Sequence, residues 1–318
     1  MNAQKEPTSE TAALSSQPVR LTKRGPRIVI PRRIRVWGVL VLALVILFGA
    51  QAVFPQYRFV PELDGELGSA SVLAVFLAAL VCEYVDSSLG MGYGTTLTPL
   101  LLLCGFEPLV IVPAVLFSEF CTGITAALLH HRDGNIDLLR DHQARKTAIL
   151  LSALSVVGAV SAATLALSIS KYWLTTIIAI IILSVGFVIL VTIRRQLKFR
   201  SGHIVTLGAI AAFNKGLSGG GYGPLVTGGQ VVSGMSAKQA VAVTSLAEGV
   251  TCLAGLIAYL VMHGGIAWSM ALPLTLGAML SVPLATLTIR NLPESMVRTG
   301  VGLATCALGV LMIVKLLL

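Results

Sequence analysis

The chain has 318 residues, of which 55% are hydrophobic and 12% charged, with a mean hydropathy of +0.87. Soluble domains carry roughly 25% charged residues, so this composition excludes a soluble globular fold and points to helices embedded in a lipid bilayer. The net charge of +9 is concentrated: residues 1–36 hold eight Lys/Arg against two Glu, which explains it by a membrane-flanking tail and excludes a nucleic-acid role.

In chain order, residues 1–35 are basic and rich in Ser, Thr and Pro, and read as a disordered cytoplasmic tail. Arg32, Arg33 and Arg35 flank the first apolar run, 36–54, an additional N-terminal transmembrane helix. Ala50-Gln51-Ala52 resembles a signal-peptidase site, but the long basic region before it favours an uncleaved signal anchor. Apolar segments 70–89, 95–104, 108–130, 147–167 and 172–193 form a first transporter unit, 70–193. Segments 203–218, 223–233, 238–262, 266–289 and 295–317 form a second, 203–317. Segments 95–104 and 223–233 are short. At 1.5 Å per residue they reach roughly 15 Å, half of a hydrocarbon core about 30 Å thick. Both follow glycine clusters, so each unit carries a helix broken near the midplane, either as a re-entrant hairpin or as an interrupted crossing.

The two clusters are Asp86-Ser87-Ser88-Leu89-Gly90-Met91-Gly92-Tyr93-Gly94 and Lys215-Gly216-Leu217-Ser218-Gly219-Gly220-Gly221-Tyr222-Gly223. Without a gap, residues 86–123 match 215–252 at 9 of 38 positions, and one identity pairs Glu119 with Glu248. A duplicated unit with helices broken at glycines is the pattern of secondary transporters whose site lies at the repeat interface. With the N-terminus inside, the inner loops and tail hold 19 of the 23 Lys/Arg, and the outer loops hold only Arg58 and Lys171. That bias follows the positive-inside rule and gives the two repeats opposite orientation. The expected fold is therefore an all-α polytopic membrane protein of two inverted-topology repeats plus one extra helix.

Five ionisable residues fall within apolar segments: Glu83, Asp86, Glu119, Lys215 and Glu248. A charge at the bilayer centre costs roughly 2.5–3.5 kcal/mol on insertion scales, so each is a functional candidate. Lys215 precedes Gly219-Gly220-Gly221 and a short helix whose N-terminal N–H groups and dipole favour an anion. The alternative is a structural ion pair with Asp86, its counterpart at offset 129. Asn214, Ser218, Tyr222, Ser87, Ser88, Gly92 and Tyr93 complete the candidate substrate-binding set. The tyrosines either line the path or pack on the glycine turns. Asp86, Glu119, Glu248 and Glu83 are coupling or gating candidates. Glu119 and Glu248 either carry a proton as unpaired carboxylates or bridge backbone groups freed by the broken helices.

The five cysteines lie inside apolar segments without C-x-x-C spacing, which argues for packing and against a disulfide framework. His130, His131 and His203 fall at cytoplasmic helix ends, His142 in an inner loop and His263 in an outer one. They show no metal-ligand spacing and read as interfacial, so neither a metal nor a cofactor is expected. Gly216-Leu217-Ser218-Gly219 matches the G-x-S-G of rhomboid intramembrane proteases, but the first repeat has Leu89 at the serine position and His263 is the only downstream base. Hence the expectation is a non-enzyme.

The glycine clusters, the short apolar helices ending at Gly105 and Gly234, and the turn Gly134-Asn135-Ile136-Asp137 resemble the sulfite exporter TauE/SafE family over residues 70–317. The resemblance implies export or exchange of a sulfur-containing anion (sulfite, a sulfonate or a sulfo-carboxylate) across the cytoplasmic membrane. Its glycine clusters correspond to Gly90, Gly92 and Gly94 and to Gly219, Gly220, Gly221 and Gly223; here Asp86, Ser87, Ser88 and Met91 interrupt the first. The reading is a secondary transporter working by alternating access, coupled to a proton or sodium, with an uncoupled anion channel as runner-up. Nothing in the sequence fixes the oligomeric state, a homodimer included.

Overall fold

A computed structural model of the chain describes residue 46 and residues 69–136, 141–192, 201–232, 235–288 and 294–318. The expected tail 1–35 and, apart from residue 46, the additional helix 36–54 lie outside the described residues. Helices account for almost all of the rest, because a segment in hydrocarbon must satisfy its own backbone polar groups. In chain order they are α1 (Ser69–Leu89), α2 (Tyr93–Leu103), α3 (Pro108–Arg132), α4 (His142–Ser168), α5 (Lys171–Thr192), α6 (Ser201–Ser218), α7 (Tyr222–Val232), α8 (Ala237–His263), α9 (Trp268–Thr288) and α10 (Glu294–Leu317). Seven of these, α1, α3, α4, α5, α8, α9 and α10, contain stretches long and apolar enough to cross a membrane.

Several boundaries differ from the hydropathy reading for local reasons. α4 begins at His142, so that histidine is not in a loop. Asp141 Oδ1 accepts from Ala144 N at 3.0 Å, a cap that starts the helix five residues before the apolar run. α8 starts behind Ser236, whose hydroxyl accepts from Gln239 N, and runs through His263 to a left-handed Gly264 at φ 89°. His263 thus ends a helix instead of lying in a loop.

Both expected helix breaks are present, each three residues long. Gly90 and Gly219 both adopt φ 70°, while Gly92 and Gly221 adopt 136° and 83°. Side chains other than glycine are strained there. Each preceding helix closes with the same bond, Gly90 N to Asp86 O at 2.6 Å and Gly219 N to Lys215 O at 2.8 Å. The helices after the breaks, α2 and α7, have 11 residues each.

Helix senses follow from the contacts. The end of α1 meets the end of α3, where His130 Nε2 bonds Ser87 O at 3.2 Å. α9 runs beside α3 in the same sense, from Phe117–Trp268 ring contact to a Thr286–Asp133 hydrogen bond. α4, α6 and α8 likewise run together, with Gln239 on Asp141, Gly216 against Ala159, and Thr164 on Met262. α3 and α8 cross in opposite senses, Gly123 lying against Ser245 and Gly249 while Leu116 lies against Gly255. α1 and α6 therefore run oppositely. Because α3 starts directly after α2 and parallels α1, α2 must turn back; the same holds for α7 after α6. The short helices are re-entrant, the alternative that hydropathy leaves open. Packing also recurs: α1 lies on α9 as α6 lies on α4, and α3 lies on α9 as α8 lies on α4.

Candidate functional site

The two glycine loops meet backbone to backbone. A Cβ on Gly94 would run into the Gly219 carbonyl and Gly220 Cα, and one on Gly223 into the Gly90 carbonyl and Met91 Cα. Only residues without side chains permit this approach. The Thr227 hydroxyl holds the contact, bonding Gly90 O at 3.1 Å and Thr244 Oγ1 at 2.9 Å, and Gln230 donates to the same Thr244 oxygen at 2.9 Å. The N-termini of α2 and α7 thus converge, and each brings the positive end of a helix dipole.

The two N-termini differ in what the duplicated position supplies. In the first repeat Asp86 Oδ1 accepts from Tyr93 N at 3.4 Å, so a built-in carboxylate occupies the α2 terminus. In the second repeat the same position is Lys215, whose side chain is 1% exposed. Its ammonium donates to Glu248 Oε1 at 2.7 Å and also pairs with Glu119 Oε2. The alternative of a Lys215–Asp86 pair is therefore corrected. Asp86 turns to the helix that follows it, while the long lysine stem reaches the crossing of α3 and α8. Nor are Glu119 and Glu248 unpaired, since both share one cation.

Around this triad lie Cys252, whose thiol is 3.9 Å from Glu119 Oε2, and Glu83, whose Oε1 accepts from the Ser87 hydroxyl at 2.6 Å. Glu119 Oε1, Glu83 Oε2 and the hydroxyls of Ser88, Thr95 and Thr98 are buried without a hydrogen-bond partner. Tyr93 and Tyr222 are fully buried. Their hydroxyls bond Ser118 at 2.8 Å and Ser155 at 3.2 Å. The Ser218 hydroxyl donates to Asn214 O at 2.8 Å and accepts from Gly220 N at 3.1 Å, so its partners are backbone atoms of its own loop and not a base. Asn214 packs against Gly221. Every candidate residue except Glu83 thus belongs to, or directly flanks, the loop junction or the triad; Glu83 sits two turns before the end of α1, within electrostatic reach of Glu119.

The interfacial reading of His130 is also corrected. The ring is 0% exposed, with Nε2 on Ser87 O at 3.2 Å and Nδ1 on Asn135 Nδ2 at 3.0 Å. Asn135 donates in turn to Thr286 O at 3.3 Å. At offset 129 the counterparts are Tyr259 and Gly216, and Tyr259 OH donates to Gly216 O at 3.1 Å. The same tether thus binds both broken helices, an imidazole serving in one repeat and a phenol in the other. The offset contains this pair, but the residue types differ, so identity matching passes over it. Thr227, Thr244 and Gln230 were missed for a similar reason: only the packing shows that they serve the opposite loop.

The chain matches the sulfite exporter TauE/SafE family over residues 75–312, a range from α1 to α10 that includes both glycine loops and the triad. It belongs to that family. It is also 25% identical over 235 residues, 70% of this chain and 76% of the relative, to the probable membrane transporter protein YtnM of Bacillus subtilis (strain 168). No solved structure matches it. The protein is a multi-pass membrane transporter of the TauE/SafE family, and the resemblance read from the glycine clusters and the Gly134-Asn135-Ile136 turn is borne out.

Proposed function

We propose that the protein is a secondary transporter that exports a small sulfur-containing anion across the cytoplasmic membrane by alternating access. One observation carries this reading: Lys215 is the only buried Lys or Arg among the described residues, and it lies one turn before the glycine break that opens α7. An anion entering the midplane loses its water and needs donors already in place. Lys215 supplies a full charge and the α7 terminus supplies partial ones, while Gly219, Gly220 and Gly221 let the anion approach the backbone closely. The α2 terminus is already capped by Asp86, so the second repeat is the one left for substrate. Asn214, Ser218, Tyr222, Ser87, Ser88, Gly92 and Tyr93 would form the surround.

The opposite senses of α1 and α6 support two repeats related by a two-fold axis in the membrane plane, with rocking of one against the other exposing the site to each side in turn. Direct contact between the glycine loops favours this over a permanently open anion channel. The test is a calorimetric screen of purified protein against sulfite, sulfoacetate, taurine, thiosulfate and sulfate, followed by counterflow in reconstituted vesicles with the anion that binds. Saturable binding and counterflow are expected. Ohmic flux without saturation would support the channel, and absence of binding to the whole panel would remove the sulfur-anion reading.

A further inference from the structure

The triad poses a charge problem for any incoming anion. Lys215 already serves two carboxylates, Glu119 on α3 and Glu248 on α8, and all three are at least nine-tenths buried. The groups facing Glu119 add no other cation. They are Cys252 on α8 at 3.9 Å, Asp86 and Glu83 on α1, and Tyr93 on α2, with Tyr222 of α7 beside Glu248. An anion placed beside Lys215 with both glutamates ionised would bring at least three negative charges onto one ammonium, and like charges in a dry site cannot all stay ionised.

Resting on the proposed anion reading, we infer that the anion binds together with a proton: the anion displaces Glu119 from Lys215, and Glu119 takes up a proton as it leaves. The step balances. The Nζ–H···O hydrogen bond passes from the Glu119 carboxylate to the anion, the ammonium keeps its three N–H bonds and its charge, and one proton donated by the buffer acid, which is left as its conjugate base, converts the carboxylate to the acid. Anion and proton then cross in the same direction. Glu119 is the group that yields because its Oε1 is buried without a partner, whereas no such orphan oxygen occurs on Glu248. An ionised carboxylate with an orphan oxygen is the costlier one to keep charged. Glu248 remains as the counter-ion that keeps Lys215 in place.

The experiment is calorimetry on wild-type protein in two buffers of different ionisation enthalpy, near neutral pH, with thiosulfate and sulfoacetate. Both anions are fully ionised there, so any proton uptake belongs to the protein. The expected result is about one proton taken up per anion, with affinity falling about tenfold per unit rise in pH. Glu119→Gln should bind with no proton uptake and no pH dependence. An infrared difference spectrum of wild type on adding anion, which needs no variant, should gain one protonated-carboxyl band. Binding without uptake, release of protons, or unchanged uptake in Glu119→Gln overturns the inference and leaves the anion reading standing. Failure of folded wild type to bind either anion overturns both.

Discussion

A lysine that is 1% exposed in a membrane helix is tolerable only because two carboxylates accept from it. Removing one side of a buried charge pair costs roughly 3–5 kcal/mol. Lys215→Met should therefore unfold at a markedly lower temperature in detergent. Adding Glu119→Gln and Glu248→Gln, which removes the stranded charges, should recover most of the loss. A single variant as stable as wild type would show that the triad is not coupled as drawn. The glycines give a sharper contrast. Gly94→Ala would drive a methyl group into the opposite loop's backbone, which cannot move aside locally, and should abolish folded protein. Gly300→Ala meets nothing within 4 Å on α10 and should be neutral or stabilising by about 0.4–1 kcal/mol. Comparing the two by size-exclusion and thermal unfolding checks both statements.

The broken helices owe their positions to tethers at the element scale. Tyr259 OH holds Gly216 O and His130 Nε2 holds Ser87 O, each one turn before a glycine break. Tyr259→Phe leaves a buried carbonyl without its partner, which costs about 1–3 kcal/mol. Amide hydrogen exchange across Gly219–Gly221 should accelerate in this variant and stay unchanged at Gly90–Gly92. Equal acceleration in both loops would mean that the tether is not local. Element existence was legible in the sequence: the hydropathy runs recover the ten helices among the described residues, and the 129-residue offset maps α2 onto α7 residue for residue. What the sequence could not give was which side chain reaches which. Asp86 and Lys215 occupy one duplicated position but differ in length, so the short one caps its own next helix while the long one crosses to α3 and α8. Histidine 130 sits at the end of an apolar run in sequence, yet the turn at Gly134-Asn135 folds back over it and buries it.

For the molecule as a whole, the contacts place the α2–α3 turn and the start of α5 on one face, through Lys171 on Glu107 at 2.6 Å. The end of α3 and the start of α4 lie at the other, with Asp133 on Thr286 and Asp141 on Gln239. From the excess of Lys/Arg in the loops on that side, we propose that the second face is cytoplasmic. A cysteine probe replacing Glu107 should react with an impermeant reagent from outside, and one replacing Asp133 only from inside; the reverse pattern would invert the topology. The fold class was legible because hydropathy, charge bias and glycine spacing are each one-dimensional signals. The site was legible only in part, since a triad drawn from three separate helices depends on a crossing that no local pattern encodes.

The role we propose for Lys215 is that of counter-charge to a transported anion. Its most direct test is anion counterflow in vesicles containing either wild type or the charge-neutral variant Lys215→Met with Glu119→Gln and Glu248→Gln, both verified as folded. Wild type should exchange the sulfur anion identified in the binding screen, and the neutral variant should bind it at least about a hundredfold more weakly and show no counterflow. Wild-type exchange by the folded neutral variant would contradict the claim and remove Lys215 from the site.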